Sequence, residues 1–121
     1  MQKNILIIDD DEELCEELKE ILETEGYAVD LSLDGKEVHT VLSTKRYDLI
    51  LLDIKLPDIT GEKLLLYIKD SMPDIPVFIV SGSPLTSKER STRLHAVADK
   101  VIAKPFRISE VLDTIRCTME T

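Results

Sequence analysis

Five residues of this chain join a chemically capable side chain to one kind of position. The apolar run Ile5 to Ile8 leads into Asp9 and Asp10, Leu49 to Leu52 into Asp53, Val77 to Val80 into Ser81, and Val101 to Ala103 into Lys104. If these runs are neighbouring parallel strands, three carboxylates, a hydroxyl and an ammonium emerge at one edge of one sheet, where open α/β folds place their ligand sites. Two carboxylates about 4 Å apart repel by roughly 4 kcal/mol at an effective dielectric near 20, so three together require a cation or a proton. Lys104 supplies one positive charge. A hard divalent ion such as Mg²⁺, which takes oxygen ligands and retains waters for a phosphate to join, suits the remainder. The set fits phosphoryl chemistry: Asp53 attacks phosphorus, the metal and Lys104 offset charge on the transferring oxygens, and Ser81 hydrogen-bonds an equatorial oxygen.

Each residue also has a plainer reading. Asp9 to Glu13 suit the first turn of a helix, whose free amides and dipole favour negative charge. Asp53 fits a turn before Pro57, Ser81 with Gly82 and Ser83 a loop opening, and Lys104-Pro105 a strand-to-turn junction. The combination outweighs the separate readings, because right-handed crossovers set the ends of the first and third strands side by side.

The elements that must position these residues alternate five times between strand-like and helix-like patterns with short Gly, Pro, Asp or Ser punctuation, which implies a parallel sheet covered by helices. Leu14, Leu18, Ile21 and Leu22 recur at helical spacing from about Asp11 to Glu25, and Gly26 supplies the stop. A second strand near Ala28 to Ser32 precedes a short helix around Gly35 to Ser43. The third strand, Asp48 to Asp53, is apolar on both faces, as a central parallel strand must be. Leu64, Leu65, Ile68 and Met72 mark a third helix that Pro73 and Pro76 terminate. A fourth helix, about Ser87 to Ala96, has little apolar face beyond Leu94, with Val97 following; a helix so poorly anchored can move. The last, about Ser109 to Thr118, buries Ile108, Val111, Leu112, Ile115 and Met119 and turns Cys117 to the opposite side.

A chain of 121 residues with 43% hydrophobic content fits one domain with a single core. No apolar stretch approaches the roughly 18 residues needed to span a bilayer, and Met1, Gln2 and Lys3 pass directly into a strand pattern, so a cytoplasmic location is expected. Cys15 and Cys117 stand outside any C-x-x-C or His/Cys cluster and are expected to be unpaired thiols. The net charge of −9 argues against direct nucleic-acid binding. Between Lys88 and Arg116, however, seven basic residues face four acidic ones. That local excess gives the C-terminal third a different surface, most simply read as an ordinary solvated face.

Over essentially its full length, residues 1–121, the chain resembles a response regulator receiver domain. The resemblance rests on Ile8-Asp9-Asp10-Asp11, on Leu51-Leu52-Asp53-Ile54-Lys55-Leu56-Pro57-Asp58-Ile59-Thr60-Gly61, on Val80-Ser81-Gly82 and on Ala103-Lys104-Pro105-Phe106, all in order and at suitable spacing. It implies a flavodoxin-like doubly wound α/β fold: five parallel strands in the order 2-1-3-4-5 and five helices. It further implies that Asp53 is the phosphoacceptor, that Asp9 and Asp10 help Asp53 hold Mg²⁺, and that the backbone carbonyl of Lys55 completes the protein's share of the metal shell. Lys104 then contacts the phosphoryl group, its peptide bond to Pro105 is typically cis, and Ser81 closes on the phosphate as the switch residue. The implied donor is a phosphohistidine on a sensor histidine kinase or phosphotransfer domain. The implied output is a two-component phosphorelay signal, read by an effector domain or target protein at the face of the last two helices, with dimerisation on phosphorylation a further expectation.

Three departures touch signalling more than chemistry. Val101 stands where the family usually has an aromatic residue that swings inward, Val97 where a Gly is common, and Pro84 follows closely on Ser81. They leave a second reading, a pseudo-receiver or a phosphate sink or relay with altered readout. An enzyme is not expected: a haloacid-dehalogenase-like phosphatase needs a second Asp where this chain has Lys55, and five carboxylates at Asp9 to Glu13 would repel a flavin phosphate. Ending after its fifth helix, the chain reads as a stand-alone receiver or as one cut from a larger regulator.

Overall fold

Because successive strand residues point to opposite faces, a strand buried on both sides must be apolar at every position. Leu49–Asp53 is buried throughout and is apolar at every position before its last, Asp53. The computed structural model describes residues 2–54, 61–81 and 97–119, with the backbone alone at Ser81. In chain order they form β1 (Asn4–Ile8), α1 (Glu12–Thr24), β2 (Ala28–Ser32), α2 (Val38–Thr44), β3 (Leu49–Asp53), α3 (Gly61–Ser71), β4 (Val77–Ser81), β5 (Lys100–Ala103) and α4 (Ile108–Met119). The five strands are parallel and ordered β2-β1-β3-β4-β5, as expected. The helix expected at Ser87 to Ala96, and Pro84 before it, lie outside the described residues; four helices are present among those described.

The alternation of the strands splits the interior into two layers. Leu6, Ile8, Ile50, Leu52, Val77 and Ile79 pack on one face of the sheet against α2 and α3 through Val38, Leu64, Leu65 and Ile68. Ile5, Ile7, Leu49, Leu51 and Phe78 pack on the other face against α1 and α4 through Leu18, Leu22, Val111 and Ile115. Helices on both faces hold the sheet in register and leave its ends for chemistry. At the N-terminal edge two aspartates close the ladder: Asp48 accepts from the Asn4 amide and Asp99 from the Val77 amide, both at 2.8 Å. The Asp48 and Asp99 amides donate back to Asn4 and Val77 at 2.7 and 3.0 Å. Lys69 of α3 reaches Asp99 at 2.7 Å and secures that corner.

Helix boundaries follow local hydrogen bonding. Asp11 caps α1 by accepting from the Leu14 amide at 3.1 Å. Its C-terminus is closed by Gly26, at φ 98°, with the Gly26 amide on Glu23 and the Tyr27 amide on Leu22, a Schellman arrangement that packs Tyr27 onto the layer containing Leu22. The buried stripe of α1 is Cys15, Leu18 and Leu22; Leu14 and Ile21, expected to share it, are only partly buried. The second helix begins at Val38 rather than Gly35: the chain first makes a turn in which the Asp34 carboxylate accepts the Lys36 and Glu37 amides at 3.0 and 3.4 Å and the Val38 amide donates to the Gly35 carbonyl at 3.4 Å. In α4, Val111 and Ile115 are buried while Ile108, Leu112 and Met119 are half-buried, and Cys117 is exposed as its helical position implies.

Candidate functional site

All four chemically capable run ends arrive at the C-terminal edge of the sheet. Ile8 pairs with Leu52, which sets Asp9 beside Asp53; Asp53 pairs with Val80, and Ser81 with Ala103, the residue before Lys104. Asp9 and Asp53 are 4% and 6% exposed, whereas Asp10 faces solvent. Each of the three offers a carboxylate oxygen within 4.8 Å of the others. The Ser81 side chain and the whole of Lys55 lie outside the described residues.

Lys104 leaves the end of β5 and places Nζ 2.8 Å from Asp9 Oδ2 and 3.6 Å from Asp53 Oδ2. The Lys104-Pro105 peptide bond is cis. Burial pulls the Lys104 pKa down, but its hydrogen bond to Asp9 and the charges of Asp9, Asp53 and Asp11 outweigh that and hold it above the ordinary 10.5. It is therefore an ammonium at any physiological pH. Among the described residues one ammonium faces these three carboxylates, two of which are shielded from water. A small divalent cation with a preference for oxygen is the counter-charge that fits this donor set.

Asp9 is held on every side. Its amide donates to the Ser32 carbonyl at 3.1 Å, its Oδ1 accepts from the Asp11 amide at 3.0 Å, its Oδ2 accepts from Lys104, and its carbonyl accepts from the Cys15 thiol at 3.4 Å. Burial, followed by the charges of Asp9 and Asp11, pushes the Cys15 thiol up to about 12, so it stays protonated and remains a donor. On the other side of the site, Gly61 opens α3 directly against the residue after Asp53. Its amide donates to the Ile54 carbonyl at 3.0 Å, and a β-carbon there would lie 2.6 Å from that oxygen. The pattern of residue types did not single out Cys15 or Gly61 as supports of the site. The one available signal for Cys15 was its place, with Leu18 and Leu22, at i, i+3 and i+7 of one helix face.

A buried carboxylate thus stands at the end of a central parallel strand of a doubly wound sheet, flanked by two further carboxylates and a lysine. A family model described as the response regulator receiver domain matches residues 5–116. The chain belongs to that family. It is 31% identical over 119 residues to the response regulator MprA of Mycolicibacterium vanbaalenii, covering 98% of this chain and 51% of that protein. The chain thus spans about half the length of the curated relatives it matches. Among solved structures it resembles a CheY-like response regulator receiver domain protein from Methanospirillum hungatei at 35% identity, with a TM-score of 0.91 over 99% of this chain and 95% of the other. It also resembles response regulator protein TrrA from Thermotoga maritima, solved in complex with Mg²⁺-BeF, at 30% identity and a TM-score of 0.84 over 97% and 99% of the two chains. These likenesses make the chain a receiver domain of response regulators and do not favour the pseudo-receiver or phosphate-sink reading.

Proposed function

We propose that residues 1–121 form a single receiver domain that accepts a phosphoryl group on Asp53 from a phosphohistidine and converts the modification into a binding signal. The observation that carries this reading is the Asp53 carboxylate itself, buried at the end of β3 with Lys104 at 3.6 Å and the oxygens of Asp9 and Asp10 within 4.8 Å. In the transfer an Asp53 oxygen attacks phosphorus, a P–O bond forms as the donor's P–N bond breaks, and the imidazole departs with the electron pair and takes up a proton. Lys104 sits where it offsets charge on the transferring oxygens. Ser81, at the end of the neighbouring strand, is assigned the hydroxyl that bonds one of them.

Asp9, Asp10 and Asp53, with the Lys55 backbone carbonyl, are the groups that would hold Mg²⁺, which when bound neutralises charge around the acceptor and the phosphoryl oxygens. The Thermotoga relative, solved with Mg²⁺-BeF, supports the assignment. The partners that follow are a sensor histidine kinase or phosphotransfer domain as donor and an effector domain or target protein as receiver of the signal. The same reading implies a cytoplasmic two-component system, dimerisation on phosphorylation, and a switch rather than a turnover enzyme. No helix among the described residues is long and apolar enough to cross a membrane.

Intact-mass measurement after incubation with a small-molecule phosphodonor and Mg²⁺ tests the acceptor. One phosphoryl mass is expected on the wild type and none on Asp53→Asn or without Mg²⁺. An equal gain on Asp53→Asn would overturn the assignment.

A further inference from the structure

Among the residues that hold Asp9, three belong to the strand edge and the loops around it, and one comes from the body of a helix. The Asp9 amide is tied to β2, its two carboxylate oxygens to Asp11 and Lys104, and its carbonyl to Cys15, one turn into α1. Fixing the amide and the carbonyl together fixes the peptide planes on both sides of the Asp9 Cα, and hence the direction in which the carboxylate leaves the backbone. Position 15 places two demands on a side chain. It is fully buried in the layer with Ile5, Ile7 and Leu18, so it must be small and largely apolar. It must also give the Asp9 carbonyl a donor, since a buried acceptor left unmet is destabilising. Alanine and valine satisfy the first demand and serine the second; cysteine, a small hydrophobe with a weak S–H donor, satisfies both.

We infer that Cys15 is a positioning residue for metal binding, its thiol holding the Asp9 peptide so that the carboxylate stands ready at the C-terminal edge beside Asp10 and Asp53. The inference rests on the assignment of Asp9 as a Mg²⁺ ligand. Groups that orient a metal ligand through its free polar atoms typically change metal affinity by about 10- to 100-fold when lost, and a thiol donor belongs at or below the lower end of that range.

The test is calorimetric titration of Mg²⁺ into the whole chain as wild type, Cys15→Ala and Cys15→Ser, with a thermal melt of each. Cys15→Ala is expected to raise the Mg²⁺ dissociation constant about three- to tenfold, while Cys15→Ser, which keeps a donor, stays within about twofold of wild type even though its melting temperature falls. A core residue with no positioning role would lower the melting temperature of both and leave Mg²⁺ binding alone. Equal binding by Cys15→Ala and wild type therefore overturns the inference, as does an equal loss in Cys15→Ala and Cys15→Ser. Wild type that binds no Mg²⁺ overturns the metal assignment and this inference with it. If Cys15→Ala does not fold, Cys15→Val, apolar and without a donor, carries the same expectation.

Discussion

Replacing Lys104 by Met removes the cation that pairs with the buried carboxylates of Asp9 and Asp53 while keeping the length and apolar packing of its stem. At an effective dielectric near 20, charges separated by the observed 2.8 and 3.6 Å attract by about 6 and about 5 kcal/mol. Much of that is returned by the cost of taking the ions out of water, and breaking a buried pair from one side nets about 3 kcal/mol. In a urea titration at neutral pH with chelator present, Lys104→Met is expected to lose about that much stability. Mg²⁺ should then restore most of it, because the more negative pocket binds the ion more tightly, and a ligand at 100 times its dissociation constant contributes about 2.7 kcal/mol. The pH dependence has a definite sign. The Lys104 pKa is raised in the folded state, so its ion pairs contribute fully below the ordinary 10.5 and are lost as the pH climbs through the folded value. From neutral pH upward the gap between wild type and variant is therefore flat to about 10.5 and narrows above it. A metal-free loss under about 0.5 kcal/mol, or equal stabilisation of both proteins by Mg²⁺, would refute the electrostatic account of the pocket.

Other elements give sharper contrasts than magnitudes. Gly61→Ala drives a β-carbon into the Ile54 backbone and is expected to cost about 2 kcal/mol in chemical denaturation and to slow phosphorylation of the neighbouring Asp53; unchanged stability would mean the α3 entry is looser than its geometry. Gly26→Ala meets nothing within 4 Å but must adopt φ 98°, so it should cost about 1 kcal/mol, and Gly26→Asn less, whereas Gly61→Asn should be no milder than Gly61→Ala. Tyr47→Phe deletes the 2.7 Å hydrogen bond to Asp30, and because Asp30 is 44% exposed the loss at pH 7 should be only about 1 kcal/mol. That bond, aided by Lys45 and opposed by burial, lowers the Asp30 pKa below 3.8, so the Tyr47→Phe difference should persist above 3.8 and shrink as the pH falls through the folded value; a constant difference across that range in pH-dependent melts would assign the loss to packing.

The parts of this molecule that were legible in sequence are those whose position follows from the main chain. A residue ending a buried strand has little freedom, so identifying β1, β3, β4 and β5 by their apolar runs was enough to bring Asp9, Asp53 and Lys104 to one edge and to set Ser81 at the end of its strand beside them. Even small errors in strand limits, such as Asp48 standing just before β3 instead of opening it, left the C-terminal ends untouched. Helix limits and faces were less legible because side chains compete for the same amides and the same core. A turn closed by two amides on the Asp34 carboxylate precedes α2, and on α1 the buried stripe shifts to Cys15, at the expense of Leu14 and Ile21.

That shift separates two kinds of information about the site. The proposed acceptor chemistry depends on residue types at strand ends, which a pattern of apolar runs can locate. The orientation of the acceptor groups depends on contacts made across elements: the thiol of Cys15 on Asp9, the amide of Gly61 on Ile54, the ammonium of Lys104 between two carboxylates. Val101 belongs with the second kind. It is half-buried and packs against the layer that holds Ile79, and it also borders a groove of about 660 Å³ whose other walls include Phe106 of the segment before α4 and Val111 of α4. An aliphatic side chain at that place has no ring to rotate between core and groove. If Asp53 accepts the phosphoryl group as proposed, a signal that reaches β5 therefore finds no ring at position 101 to carry it, although Asp9, Asp53 and Lys104 stand at the strand ends where the family pattern has them.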